Sequence, residues 1–269
     1  MQRRKFLASS LAASALAAGA SAGARAEPQT QADATGRQYY ELRNYRLRSG
    51  PQVKLTHSFL RDALLPALGR LGIGPVGVFN QVIGPESPSI YVLMASTSVD
   101  SLVNAEAALG RDSDYQQAGS AFLTAPAGSP AYVRMESKLM IAFAGRPRIT
   151  PPPSTGAGHS RTFELRTYES PSDRDHIRKV EMFHHGEFDV FIQAGFSPVF
   201  YGNTLVGARM PNLTYMLSFN SLDERNRLWS AFGSSPAWKK LSGSQRYAFE
   251  QIVSNITNLI LSPAPYSQI

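Results

Sequence analysis

Glu41, Arg43 and Tyr45 occupy alternate positions in Tyr40-Glu41-Leu42-Arg43-Asn44-Tyr45, and Glu164, Arg166 and Tyr168 occupy the same places in Phe163-Glu164-Leu165-Arg166-Thr167-Tyr168, 123 residues later. Residues two apart on a strand share a face, so each set presents a carboxylate, a guanidinium and a phenol together. One role open to them is ligand binding, with arginine gripping a carboxylate or phosphate in a forked geometry and tyrosine supplying a hydroxyl. The other is structural: Glu41 pairing with Arg166 and Glu164 with Arg43 across a pseudo-twofold axis, where loss of one partner costs about 3–5 kcal/mol. These six residues are the ligand-binding candidates. No pattern specifies a catalytic residue, and none names a cofactor.

The other polar clusters carry less. His184 and His185 lie between Glu181 and Glu187, but adjacent histidines on a helix diverge by about 100° and His-Glu-x-x-His is absent, so they read as a solvated helical face and no metal site is assigned. His185-Gly186-Glu187 has the His-x-Glu of zinc deaminases without the cysteines that site requires. His57 and His176 read as surface residues near helix starts. Gly72-Ile73-Gly74-Pro75-Val76-Gly77 has dinucleotide-loop spacing, yet it leaves a helix and enters a strand, the reverse of the order phosphate binding needs. Trp229, Phe232 and Trp238 suit helix-to-sheet packing or the wall of an apolar pocket.

The elements that must position these groups come in two copies. Gly72, Pro75 and Val76 return as Gly195, Pro198 and Val199, and Asp100 returns as Asp223, all at the offset of 123; Ile90–Met94 aligns with Thr214–Ser218 at 124. In the first copy the pattern predicts a strand over 39–47, a helix over 52–71 ended by Gly72, strands at 76–79 and 90–94, a helix entered at Ser98 and Asp100, and a last strand over about 132–143. The second copy predicts a strand over 161–169, a helix over 173–194, strands over 196–206 and 213–219, a helix over 221–232, and a strand over about 250–261. Short extra helices are expected near 115–122 and 238–247. The order β-α-β-β-α-β is ferredoxin-like. The chain therefore divides into a segment 1–26, an arm 27–37, domain 1 over 38–143, a Pro/Gly linker 144–160 and domain 2 over 161–269. The alternation suggests that Tyr40, Leu42, Phe163 and Leu165 face the helices, while the Glu-Arg-Tyr sets face the space between two packed sheets.

Residues 1–26 read as a signal peptide. Arg3-Arg4-Lys5 precedes Phe6-Leu7, an Ala-rich stretch and Ala24-Arg25-Ala26, an A-x-A cleavage pattern. The Arg-Arg-x-Phe-Leu order resembles a twin-arginine signal, so the expected location is periplasmic or secreted, with no stable membrane insertion after cleavage. Cleavage removes Arg3, Arg4, Lys5 and Arg25 and lowers the formal charge from +7 to +3. The remaining basic residues are scattered, which argues against a nucleic-acid partner. The chain has no cysteine, which excludes disulfides, thiolate metal sites and a cysteine nucleophile.

Tyr40–Tyr45, the helix ending at Gly72, the repeat Phe163–Tyr168 and the tail Leu259-Ile260-Leu261-Ser262-Pro263 together resemble the NIPSNAP family over roughly residues 38–269. The resemblance implies an α+β fold: two tandem ferredoxin-like β-α-β-β-α-β domains packed sheet to sheet as a pseudo-symmetric dimeric α+β barrel. It implies little chemistry, because a shared fold does not carry a function with it. Three functions stay open: a binder of a small-molecule ligand in or beside the barrel, a monooxygenase-like or haem-handling enzyme, and a non-catalytic protein-interaction module. Further assembly into a homo-oligomer is compatible with each.

Overall fold

The computed structural model describes residues 36–153 and 161–269. The proposed signal peptide, most of the arm and the end of the linker lie outside the described residues. The first module comprises β1 (Tyr39–Arg46), α1 (Pro51–Phe59), a π turn (Leu60–Leu64), α2 (Leu65–Arg70), β2 (Val76–Ile83), β3 (Ser89–Ser96), the short helices α3 (Val99–Val103), α4 (Ala105–Leu109), α5 (Ser113–Ala118) and α6 (Ser120–Leu123), and β4 (Arg134–Ala142). The second comprises β5 (Thr162–Glu169), α7 (Asp173–Met182), a π turn (Phe183–Glu187), α8 (Phe188–Gln193), β6 (Ser197–Val206), β7 (Asn212–Phe219), α9 (Leu222–Ser234), α10 (Pro236–Ser242), α11 (Phe249–Ile252) and β8 (Asn255–Pro263). The stretch before Asn255, expected to begin the last strand, instead forms α11.

Local signals explain the helix ends. Ser98, Asp112, Ser172, Ser221 and Ser235 each accept a backbone N–H at a helix start, satisfying donors that have no partner within the helix. Gly72 and Gly195 end the long helices at φ 70° and 86°, a left-handed conformation that costs glycine no Cβ clash.

The strands close into one barrel in the order β1-β3-β2-β8-β5-β7-β6-β4, antiparallel throughout. Each module contributes its own four strands in ferredoxin-like order, and β2 with β8 and β4 with β6 stitch the modules together. Closure leaves no sheet edge unpaired. The described part of the linker packs against this wall: Ile149 is buried in the barrel core, its N–H donates to Gln38 Oε1 at 2.7 Å, and the Thr150 N–H donates to Val199 O at 2.8 Å. The barrel closes within a single chain.

Among the described residues the buried apolar side chains form three clusters. Two lie between the barrel wall and the helices, one per module. The third fills the barrel itself and mixes both modules, with Tyr40, Leu42, Phe79, Leu93, Met140, Phe163, Leu165, Phe200, Met216, Leu261 and Ile269. The expected facing of the strands is thus inverted. Tyr40, Leu42, Phe163 and Leu165 point into the barrel, and Glu41, Arg43, Tyr45, Glu164, Arg166 and Tyr168 point outward beneath the helices. The interior of an eight-stranded barrel is just wide enough for side chains to fill, so it takes compact apolar groups, whereas long charged side chains find partners on the covering helices.

The strand registers also correct the alignment of the repeats. Tyr40 faces Ala95 and Phe163 faces Ser218, so β3 and β7 correspond at 123, not 124. Tyr91 therefore corresponds to Thr214, and a one-residue slip reverses the face of every side chain: Tyr91 lies in the barrel cluster and Tyr215 beneath the helices.

Candidate functional site at the open end of the barrel

Along β1 the inward residues run Tyr40, Leu42, Asn44, Arg46; along β5 they run Phe163, Leu165, Thr167, Glu169. Each series turns from apolar to polar halfway. The apolar half packs one end of the barrel solid, and the polar half leaves the other end open as a cavity of about 860 Å³. Leu42, Leu165, Leu259 and Tyr91 form apolar wall, while Asn44, Lys138, Thr167 and Thr257 supply polar groups. The β2–β3 and β6–β7 turns frame the rim with Glu86 and Arg209. Both have left-handed backbones, at φ 57° and 58°, which is uncommon outside glycine and recurs at functional sites.

Lys138, on β4 opposite Leu42, is the central polar group. Its ammonium donates to Asn212 Oδ1 at 3.2 Å and to Thr214 Oγ1 at 3.0 Å. Both acceptors are themselves held: Asn212 Oδ1 accepts from the Thr204 hydroxyl at 2.7 Å, and Thr214 Oγ1 shares a 2.9 Å hydrogen bond with Thr167 Oγ1. Burial pushes the Lys138 amine down to about 8, and the nearby Arg209 charge adds to the shift against the opposing pull of Glu169. The other charges are matched at the rim, Arg46 with Glu86 at 2.6 Å and Glu136 at 3.0 Å, and Arg209 with Glu169 at 3.1 Å. Asn44 Oδ1 is buried without a hydrogen-bond partner among the described residues. The mouth therefore combines a cation whose acceptors among the described residues are all neutral with an apolar wall.

None of the six candidates from the sequence lines this cavity. They form two outward-facing networks instead, and the expected cross-module pairs do not occur. Arg43 binds Glu41 at 2.6 Å within one strand, where Ser137 donates to the same carboxylate at 2.7 Å; Tyr45 packs in the first helix-side cluster. Arg166 donates to Glu164 at 3.0 Å and to the Tyr168 hydroxyl at 3.2 Å, and Tyr168 shares a 2.7 Å hydrogen bond with Tyr215. Glu164 also accepts from Arg225 and, at 2.6 Å, from the Trp229 indole, while the Arg166 guanidinium lies 4.3 Å from the Trp229 ring centroid. Partners two residues apart on one strand face are nearer than any across the barrel, which is why each pair closes within its own module.

The remaining candidates are also placed, His57 half-buried with its Nδ1 2.6 Å from the Tyr266 hydroxyl rather than on the open surface. His184 and His185 are exposed, and each ring Nδ1 meets the carbonyl four residues earlier, at 2.9 and 2.8 Å. Glu187, expected beside them on a solvated face, is instead wholly buried and ion-paired with Lys179. The π turn and Gly186, at φ 139°, rotate it inward. His176 is buried too, with Nε2 2.6 Å from Asn203 Oδ1. Trp229, Phe232 and Trp238 pack edge to face or tilted against neighbouring rings. Sequence reasoning missed Asn44, Lys138, Thr167 and Thr214, although the apolar-to-polar change along the two repeated strands marks where the barrel opens.

Residues 160–268 match the NIPSNAP family. No curated protein matches the chain by sequence. Among solved structures, a candidate monooxygenase from Fusobacterium nucleatum superposes with a TM-score of 0.55 at 6% identity, covering 85% of this chain and 93% of its own. A second candidate monooxygenase, from Lactobacillus acidophilus, gives 0.53 at 6% identity over 84% and 94%. An uncharacterised NIPSNAP-like domain protein from Burkholderia xenovorans gives 0.37 at 16% identity, covering 40% of this chain and 90% of its own. At such identities the two longer likenesses establish the barrel and nothing of its chemistry. Among the described residues no helix is long and apolar enough to cross a membrane. Residues 160–268 of this chain are a NIPSNAP domain.

Proposed function

We propose that this protein is exported and binds a small molecule with an apolar body and an oxygen-bearing head at the open end of its barrel. The observation that carries the reading is Lys138. It stands at a cavity of about 860 Å³ with neutral acceptors only. Ligand cavities of this size are mostly apolar with a few placed polar groups. A hydroxyl head accepts from Lys138, and the apolar body covers Leu42, Leu165 and Leu259.

The haem-handling alternative finds no support at the mouth, where no described histidine lines the cavity and the chain has no cysteine. The Glu-Arg-Tyr sets act in this reading as supports of the wall rather than as ligand contacts. Export is supported by the Arg-Arg-x-Phe-Leu order and the Ala24-Arg25-Ala26 pattern. Cell fractionation with N-terminal sequencing tests it, the expected product beginning at Glu27.

Binding is tested by titrating naphthylmethanol into the protein and into a Thr257→Trp variant, by calorimetry. Saturable one-to-one binding that the tryptophan weakens by about tenfold or more supports the site. Absence of saturation, or indifference to the tryptophan, overturns it.

A further inference from the structure

We propose that Lys138 forms a reversible imine with an aldehyde or ketone carried by a ligand at the barrel mouth. The inference rests on the binding site proposed above and adds a covalent step to it. Two observations carry it.

First, the amine is held with its reactive position spare. Lys138 gives one N–H to Asn212 Oδ1 and one to Thr214 Oγ1, which accounts for both protons of a neutral primary amine and leaves its lone pair unused. Second, no carboxylate among the described residues is bonded to it. The carboxylates that approach from the surrounding elements are engaged elsewhere: Glu86 and Glu136 with Arg46, and Glu169 with Arg209. A lysine in that situation is easily deprotonated, and its depressed amine pKa, about 8, agrees with the geometry.

The step balances without any co-reactant. The Lys138 nitrogen attacks the carbonyl carbon, forming a C–N bond while the C=O π pair moves to oxygen. The proton lost from nitrogen passes to that oxygen to give the carbinolamine. Departure of the oxygen as water, with the second nitrogen proton, leaves the C=N bond. The Thr214 and Thr167 hydroxyls, 2.9 Å apart, form a short relay beside the nitrogen. Lys138 has no counterpart in the second copy, where Leu259 takes its place opposite Leu165, so the barrel carries one such amine.

The test uses the intact protein, naphthaldehyde and sodium cyanoborohydride at about pH 7, where imines reduce faster than free aldehydes; hydride adds to the imine carbon and fixes the adduct. Peptide mapping locates the modified lysine. The expected result is a single adduct on Lys138, formed at least about tenfold faster than on the exposed Lys54, Lys239 and Lys240, and suppressed by excess naphthylmethanol. A Lys138→Arg variant, checked for folding by circular dichroism, is expected to lose that adduct. Because mapping on the unaltered protein gives the answer alone, a variant that fails to fold does not spoil it. Labelling spread evenly over the exposed lysines overturns the imine. If naphthylmethanol binds and Lys138 stays unmodified, the imine fails and the binding site stands; if naphthylmethanol also fails to bind, both fall.

Discussion

Arg46 Nη1 lies 2.6 Å from Glu86 Oε2, and the second module repeats this bridge with the charges exchanged, Glu169 standing for Arg46 and Arg209 for Glu86, at 3.1 Å. Each pair ties the end of a module's first strand to its central turn at the barrel rim. Both pairs are partly solvated, so each contributes only about 0.5–1 kcal/mol. An Arg46→Glu variant places like charges beside Glu86 and Glu136 and is expected to lower stability by about 1 kcal/mol. Adding Glu86→Arg restores most of the loss, because the reversed pair is the one the second module already uses. A double-mutant cycle by urea unfolding measures the coupling, and additive losses would show that the rim bridges are incidental.

The Lys179–Glu187 pair is of another kind. Both side chains are enclosed, and the ammonium also lies within 4.4 Å of the Phe183 and 4.9 Å of the Phe249 ring centroids. Burial pushes the lysine down and the carboxyl up, each opposed by the other's charge. The first module does without it, placing Thr56 and Leu64 at the equivalent positions. Glu187→Gln or Lys179→Met alone is expected to cost about 3–5 kcal/mol, since one buried group loses its counter-charge, whereas Lys179→Met with Glu187→Leu recovers much of it. The comparison is read from denaturant midpoints of the three variants.

Lys138 gives the stability curve a definite sign. The folded protein holds this amine near 8, against an ordinary value of 10.5. Between those values the unfolded chain keeps the proton and the folded chain has released it, so unfolding takes up a proton and the Lys138 contribution to stability rises with pH across the window. Below about pH 8 the amine is charged in both states, and the cost of burying it is fully present. Lys138→Met is expected to flatten the rise between pH 8 and 10.5 relative to the unaltered protein. Equal slopes in the two proteins would mean that the amine titrates as it does in water.

The sequence made the strands, the duplication and the ferredoxin-like order legible because alternation at Tyr40–Tyr45 and Phe163–Tyr168 survives in both copies. It hid which face was which. Both faces of this wall are buried, one by the barrel interior and one by helices, so hydrophobicity alone does not orient the strand, and charged Glu164 is fully buried by Arg166, Arg225 and Trp229. The pairing of Glu187 was hidden by the π turn, which departs from the helical spacing on which a helical-face reading depends. Lys138 was hidden by the lack of a repeat: β4 and β8 correspond at an offset of 121 rather than 123, and a leucine occupies the matching site.

The end of the barrel opposite the mouth is sealed by residues 267–269. Ile269 is completely buried among Phe79 and other residues of the barrel cluster, and the preceding residues are tied to β2: Gln268 N–H donates to Val76 O at 3.0 Å, Val76 N–H to Gln268 Oε1 at 2.7 Å, and Val78 N–H to Ser267 Oγ at 2.9 Å. The fit leaves no slack, since a Cβ on Gly77 would fall 2.5 Å from the Phe79 ring and 2.9 Å from Ile269 Cδ1. Ile269→Ala is expected to cost about 2–5 kcal/mol through the cavity it leaves, and Gly77→Ala about 1–3 kcal/mol through overpacking. Combining them should cost less than the sum, because the alanine methyl enters part of the space that Ile269 vacates. The apolar layer of Phe79, Phe163 and Phe200 separates this end from Lys138, so naphthylmethanol affinity in the folded Ile269→Ala protein should be unchanged. A fall in affinity without a fall in stability would instead place the ligand at the sealed end.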